Sequence, residues 1–153
     1  MKWITRSRPV IDRIACPWLV ARFIDTEPEF LFEPREEVFH VAARTGAEPY
    51  DIPGAALSHV GERCSFDAFL ARWSLDDPAL ARLAIIVRGA DTDRHDLAPQ
   101  CAGLLAISVG MGRLHRDDHE LLDAMFPIYD ALLAWCREAS DERHAWRPER
   151  AGA

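Results

Sequence analysis

The sequence predicts an α+β fold dominated by helices, in which a small early β-sheet of short strands is covered by about five to six helices. Two short segments near the start, KWITR and EFLFEP, have the aromatic and apolar enrichment of strands. From residue 65 onward, helix starts and helical spacing of apolar residues dominate instead. Strands followed by a run of helices indicate the α+β class.

The first third of the chain contains the predicted strands. They are expected at residues 2–6 and Glu29–Pro34, with a short edge strand over Ala47–Pro53 as the third. Its prolines weaken the third strand, because proline cannot donate to a sheet ladder. Between the last two strands, Glu36–Thr45 has the pattern of a helix that ends at Gly46.

Two of the later helices have recognisable starts. Ser65 is expected to cap the helix FDAFLARW. Asp77 followed by Pro78 combines an N-cap with a proline at the first helical position, and a helix should run from there to about Asp93.

The last two helices are predicted from an apolar run and a capping box. An almost wholly apolar helix begins near Pro99 and is expected to form the buried centre of the fold. The sequence Asp-Asp-His-Glu at residues 117–120 opens a long helix to about Glu138, which Pro127 is expected to kink.

Length and charge limit the classes of function. The 153 residues are expected to form one domain over residues 1–143, followed by a polar tail over residues 144–153 that we expect to fray. A net charge of −7 argues against direct nucleic-acid binding, which needs a basic face. The N-terminus lacks an apolar signal region, and no apolar run is long enough to predict membrane insertion. We therefore expect a cytoplasmic protein.

The four cysteines show no CxxC pair, so free thiols in a reducing compartment are expected. Cys16 stands directly before Pro17, and two geometries remain open. If the helix starts at Pro17, Cys16 is its N-cap, where amide donors and nearby Arg13 favour a thiolate. If the helix starts at Asp12, Pro17 is internal and Cys16 is a small buried side chain.

The segment SHVGERCSFD, residues 58–67, is the densest in reactive side chains. His59, Glu62 and Cys64 have the chemistry of ligands for a divalent metal, although their spacing matches no closed structural zinc site. A polar turn that satisfies the following helix start is the alternative.

Two further clusters lie on predicted helices. Arg88, Asp91 and His95 recur at helical spacing on one face, where they are either metal or anion contacts or ordinary surface pairs. His119 lies in the first turn of the last helix, where the helix dipole favours the neutral imidazole that a ligand or base requires. The alternative is a surface histidine that packs over the capping box.

Four separated blocks of the chain carry a resemblance to a known family. They are KWITRSRPVIDRIACPWLVARFID, DIPGAALSHVGERCSFDAFLARW, LARLAIIVRGADTD and a last block that combines APQCAGLLAISVG with DDHELLDAMFPIYDALLAWCR. Together they span residues 2–137 and resemble the C-terminal domain of the chromate resistance protein ChrB family. The resemblance implies a role in chromate resistance beside a chromate efflux transporter. Larger members are regarded as chromate-responsive regulators with an additional N-terminal region. Since the resemblance covers only their C-terminal domain, we do not expect a repressor role for this chain.

Three hypotheses follow for the site. In the first, the domain senses chromate stress by binding chromate or another small anion at Arg13, Arg63 and Arg88. In the second, it binds a divalent transition metal (zinc, iron or manganese), as a metal-binding protein or as an enzyme. The expected metal ligands are His59, Asp91 and His119, with Glu62 as general base or fourth ligand and with Cys64 and His95 as secondary ligands.

The third hypothesis is reduction of chromate by a thiol at Cys16 or Cys64. No short-spaced partner thiol supports it. The sequence leaves open whether the helical surface forms a homodimer.

Overall fold

The computed structural model describes residues 1–144, so residues 145–153 of the expected tail lie outside it. Within residues 1–144 the elements are β1 (Lys2–Arg6), α1 (Asp12–Leu19), β2 (Glu29–Glu33), α2 (Val38–Thr45), β3 (Glu48–Pro49), α3 (Ser65–Arg72), α4 (Pro78–Asp91), α5 (Gln100–Leu114) and α6 (Asp118–Ala134). Helices α1 and α6 continue into π-helical turns at Val20–Ile24 and Trp135–Ala139, and a short 3-10 turn, His95–Leu97, precedes α5. The predicted α+β class and helix number are confirmed. The domain boundary at residue 143 stays a prediction.

The sheet has three parallel strands in the order β2-β1-β3. Strand β1 pairs with β2 over its full length, whereas β3 contributes only Glu48 and Pro49. The third strand is therefore shorter than the predicted Ala47–Pro53, and the extended backbone ends before Asp51, which turns at φ 49°.

The central strand is buried on both faces. The side chain of Ile4 packs with Val38 and Val41 of α2, in a small core on one face. The neighbouring Trp3 joins a larger core on the other face, which includes side chains of α1 and of α3 to α6. Since successive side chains of a strand point to opposite faces, α1 and α2 cover opposite sides of the sheet.

This topology creates a crevice at the carboxyl ends of β1 and β3. The chain leaves β1 toward β2 on one side and then crosses to β3 on the other, with its connecting helices on opposite faces. Ligands of open parallel sheets bind at such switch points. Arg6 ends β1 at this edge, and Asp51 follows β3 by two residues.

Helix α1 starts at Asp12, so Pro17 is internal and Cys16 is buried. The geometry with Cys16 as N-cap is therefore wrong, and the alternative is confirmed. Two features place the start of α1 at Asp12 rather than at Pro17. The backbone of Ile11 turns at φ 39°, and the N–H of Asp12 is capped by the carboxylate of Asp91, 3.3 Å away.

Helix α5 is not the buried centre of the fold. Only Cys101, Leu104 and Ser108 are buried, whereas Leu114 is 76% exposed and Ile107 is 46% exposed. The apolar composition is real, but α5 packs on α4 and α6 along one face only. The expectation failed because a helix that is apolar all round has no polar face to show which side is covered.

The remaining helix starts differ by at most two residues from those predicted. Cys64, one residue before Ser65, is the N-cap of α3, because its N–H donates to the Asp67 carboxylate at 3.0 Å. The predicted caps Asp77 and Asp117 are both confirmed. Helix α6 continues through Pro127 to Ala134.

Within residues 1–144, none of the helices combines the length and the apolar character needed to cross a bilayer.

Gly89 sets how closely α4 approaches α5, two residues before Asp91. A Cβ at Gly89 would clash with the sulfur of Cys101 and lie 2.7 Å from the carbonyl oxygen of Arg94. We expect Gly89→Ala to lower the free energy of unfolding by about 1–3 kcal/mol through overpacking. Urea denaturation measures this change.

Gly103→Ala is the matched control, because a Cβ there meets nothing within 4 Å. It should raise the free energy of unfolding by about 0.5–1 kcal/mol through helix propensity. Equal effects of the two substitutions would contradict the close contact at Gly89.

Candidate functional site: a carboxylate cluster at the sheet edge

Three aspartates surround one histidine in the crevice. The Nε2 atom of His59 lies 3.0 Å from Asp91 Oδ2, 3.3 Å from Asp51 Oδ1 and 3.5 Å from Asp12 Oδ2. We call Asp12, Asp51 and Asp91 the carboxylate cluster. Its members come from the start of α1, the segment after β3 and the end of α4, while His59 lies in the loop before α3.

Asp12 forms the floor of the site and is completely buried. Its Oδ2 accepts a 2.5 Å hydrogen bond from the N–H of Ser65, the first residue of α3. Within residues 1–144, its Oδ1 is buried without a hydrogen-bond partner. A helix N-terminus favours an anion, but a buried carboxylate oxygen without a partner is energetically unfavourable.

Asp51 connects the cluster to two arginines. Its Oδ1 accepts a 2.7 Å hydrogen bond from the Ser65 hydroxyl, and its Oδ2 lies 3.0 Å from Arg6 Nη2 and 3.5 Å from Arg13 Nε. Asp51 is therefore a charge-balanced member of the cluster, already supplied with donors.

Asp91 joins α4 to the start of α1. Its Oδ1 accepts from the Asp12 N–H, which leaves Oδ2 to face His59. As the last residue of α4, its carboxylate lies at the negative end of the helix dipole. The N-terminus of α1 compensates for this arrangement from the opposite side.

Burial and mutual repulsion perturb the acids. Burial, followed by the charges of Asp91 and Asp51, raises the pKa of Asp12 well above its usual range. Burial and the charge of Asp51 also raise the pKa of Asp91. Three carboxylates face two arginines here, so the acids of the site outnumber its guanidinium cations.

The geometry suits a cation. One donor atom each from Asp12, His59 and Asp91 lies within 4.8 Å of the others. One imidazole and two carboxylates form a mixed nitrogen–oxygen set, which suits zinc, iron and manganese.

A cleft of about 360 Å³ opens onto this site. Polar residues and an apolar wall share its lining, which consists of Arg6, Arg13, Asp51, His59, Asp91, Val10, Ile11, Ala90 and Leu105. The backbone is strained at two of these positions, since neither Ile11 (φ 39°) nor Asp51 (φ 49°) is a glycine. Strained non-glycine residues concentrate at functional sites.

The structure brings together two of the three predicted metal ligands. His59 and Asp91 meet, but His119 is an exposed residue on α6 whose ring packs against Phe32, with centroids 5.4 Å apart. The alternative interpretation, a surface histidine at the capping box, therefore fits His119, whose backbone N–H donates to the Asp117 carboxylate.

The secondary ligands also lie outside the set of three donor atoms. Glu62 lines a different cleft, and the closest acidic partner of His95 is Asp93, 3.8 Å away. Cys64 is buried, with its sulfur 3.6 Å from Asp67 Oδ2.

Sequence reasoning missed Asp12 and Asp51. Asp12 entered only as the rival helix start, and Asp51 was placed inside a predicted strand. Each follows a strand within a few residues at the same sheet edge, a signal that becomes usable only once the strand order is known.

The three predicted anion-binding arginines do not converge. Arg13 lies beside the carboxylate cluster, whereas Arg63 and Arg88 line a separate cleft, the one that Glu62 also lines. Arg88 is engaged in a bidentate pair with Asp67, at 2.8 and 2.6 Å.

The fold and site thus define a class: a parallel-sheet α+β domain with a histidine–carboxylate cluster at its topological switch point. The chain belongs to the family described as ChrB, C-terminal domain, whose model matches residues 3–136. This match confirms the resemblance seen in the sequence, and the family is associated with chromate resistance.

A curated relative supports the assignment. Protein ChrB from Cupriavidus metallidurans is 35% identical over 132 residues, which cover 86% of this chain. Those residues are 39% of the relative's length, so this chain spans about two fifths of that protein. No solved structure gives a significant match.

The thiols should react slowly in the folded protein. Burial, followed by the negative charge of Asp12, raises the pKa of both Cys16 and Cys64. We expect iodoacetamide to label these cysteines far more slowly than a free thiol of pKa ~8.5, with full labelling in denaturant as the control. Rapid labelling of either residue at neutral pH would revive the hypothesis of a reactive thiol.

Asp12 should make the metal-free protein less stable as pH rises. Its folded pKa lies above the unfolded value of ~3.9, so its contribution is most favourable below that value and is lost as pH rises toward the folded pKa. In EDTA, Asp12→Asn should therefore exceed wild type in stability, by about 1–3 kcal/mol at neutral pH, with a difference that grows from pH 4.5 upward.

Urea denaturation at several pH values measures this difference. Asp96→Asn, at an exposed acid paired with Arg94, is the control and should produce no such gain. Parallel pH profiles for wild type and Asp12→Asn would contradict the raised pKa.

Proposed function

We propose that this chain is a divalent-metal-binding domain that acts in chromate resistance, with Asp12, His59 and Asp91 as metal ligands. The observation that carries the proposal is the fully buried Asp12 carboxylate, which has a donor atom within 4.8 Å of donor atoms of His59 and Asp91 and whose Oδ1 has no partner among residues 1–144. A protein that only needed to fill this space would be more stable with an uncharged side chain there.

Charge balance favours a cation over a bare anion at this site. Three carboxylates converge here on one imidazole and only two arginines. A divalent ion would add positive charge among these acids and bond directly to their oxygen atoms. An anion bound by the arginines alone would instead approach three acids without compensation.

The ligand types narrow the choice of metal. Imidazole and carboxylate together suit zinc, iron and manganese, and calcium is disfavoured because it takes six to eight oxygen ligands. Three protein ligands leave further coordination positions, and the cleft leads to them.

Family membership supports a role in chromate stress, as a sensor or an accessory domain in the cytoplasm. Chromate or another small anion would act on the metal-bound form.

A metal-dependent enzyme is the second candidate. The cleft beside the ligands, together with coordination positions that the protein leaves free, is the arrangement of catalytic rather than structural metal sites. In such an enzyme Asp51, which contacts His59 from beside the ligand set, is better placed than Glu62 to accept a proton from bound water.

Metal content and titration test the proposal. Wild-type protein should bind about one Zn²⁺ or Mn²⁺ per chain, measured by elemental analysis and isothermal titration. Asp91→Asn and His59→Gln should each weaken binding by at least about 10–100-fold, the range known for the loss of even outer-shell partners. Affinity should also fall with decreasing pH, because Asp12 and Asp91 must lose their protons to bind.

His119→Ala is the matched control, since it removes an exposed histidine outside the cluster. Metal content far below one ion per chain would overturn the proposal. Equal weakening by His119→Ala and His59→Gln would do the same.

A further inference from the structure

We propose that the cleft beside the metal ligands binds a small organic carboxylate, whose carboxylate group coordinates the metal and accepts hydrogen bonds from Arg6 and Arg13. This inference rests on the proposed metal site and names the class of ligand that would complete it.

The two arginines have donors to spare. Arg6 uses Nη2 for the carbonyl and carboxylate of Asp51, and Arg13 uses Nη1 for the carbonyls of Arg6 and Ser7. Among the hydrogen bonds of residues 1–144, Arg6 Nη1 and Arg13 Nη2 have no acceptor, and Arg6 Nε is buried without one. Unsatisfied donors beside a cleft favour an acceptor from outside the protein.

These guanidinium groups are already held in place. The side chain of Arg13 is only 16% exposed, and its Nη1 contacts two carbonyl oxygens at 3.1 and 2.9 Å. Arg6 is fixed by two hydrogen bonds of 2.9 and 3.0 Å to Asp51. A rigid guanidinium binds a carboxylate with little further loss of entropy.

The metal determines whether an anion can enter. The site holds three carboxylates beside two arginines, and a divalent ion adds two positive charges among them. The carboxylate of the ligand would coordinate that ion directly. Carboxylate binding should therefore require the metal.

The apolar wall distinguishes an organic acid from an inorganic oxyanion. We use this name for the apolar residues that line the cleft beside its charged ones: Val10, Ile11, Ala90 and Leu105. A volume of about 360 Å³ lies at the lower end of the range for small-molecule pockets. A sulfate-like ion would leave this wall against water, whereas a short branched acid would cover it.

Titration of the Mn²⁺-loaded protein with 2-hydroxyisobutyrate tests the inference. Its carboxylate and hydroxyl offer oxygens to the metal, and its methyl groups suit the apolar wall. We expect bound Mn²⁺ to lose coordinated water in proton-relaxation measurements, with an affinity at least about tenfold above that for sulfate or chromate. No binding should occur to protein stripped with EDTA.

Arg6→Gln should affect the two ligands in opposite directions. It removes a positive charge near the metal, so Mn²⁺ binding should stay equal or become tighter. Loss of charge-assisted hydrogen bonds should weaken 2-hydroxyisobutyrate binding by about tenfold or more. Arg63→Gln, in the other cleft, is the matched control and should change neither affinity.

Each outcome decides a separate point. Absence of Mn²⁺ binding overturns the proposed function. If wild type binds Mn²⁺ but shows no relaxation change when 2-hydroxyisobutyrate is added, only the inferred carboxylate site is overturned. This conclusion does not depend on the result for the Arg6 variant. Equal affinities of the Mn²⁺-loaded protein for 2-hydroxyisobutyrate and for sulfate or chromate would overturn the assignment to organic acids. If Arg63→Gln weakened 2-hydroxyisobutyrate binding as much as Arg6→Gln does, the loss would reflect net charge alone and would overturn the hydrogen bond from Arg6.

Discussion

The rest of this site depends on the two hydrogen bonds that Asp12 makes with its carboxylate and its backbone N–H. The carboxylate accepts a hydrogen bond from the first N–H of α3, while the N–H of the same residue donates to Asp91 at the end of α4. One residue thus joins the starts of two helices to the end of a third. These contacts lie at the carboxyl edge of the sheet, where the opposite courses of α1 and α2 leave a crevice. The position of the site therefore follows from the topology, and its chemistry follows from the acids at the helix ends.

A second network fixes the same elements from the other side. The Asp67 carboxylate accepts hydrogen bonds from the N–H of Cys64 and from Nε and Nη2 of Arg88. These bonds connect the first turn of α3 to the last turns of α4. The bidentate geometry restricts rotation as well as distance. Asp91 lies three residues beyond Arg88, so the pair holds the part of α4 that precedes Asp91 against α3. Arg88, which the sequence suggested as an anion contact, is instead paired with Asp67.

The local features of the fold were accessible from the sequence, and the long-range ones were not. The caps Asp77 and Asp117 and the left-handed Gly46 could be predicted because each depends on residues within one turn. The sequence left the start of α1 open between Asp12 and Pro17, since the group that caps Asp12 comes from Asp91, 79 residues away. His59 and Asp91 were identified from residue type, but their partners Asp12 and Asp51 become neighbours only through the order β2-β1-β3. His119 has suitable chemistry and a suitable helix position, and the fold places it against Phe32 instead.

The carboxylate cluster lowers the stability of the metal-free protein through the same groups that we propose to bind a cation. A buried carboxylate with an unpartnered oxygen, two further acids and two strained backbone positions all disfavour the folded state of the metal-free protein. Under the proposal above, a bound cation would offset the cost of the buried carboxylates, because binding to the folded state adds to the free energy of unfolding. An uncharged side chain at position 12 would avoid that cost without a ligand. A buried Asp12 would therefore make the stability of the domain depend on its occupant, as a domain that responds to a ligand requires.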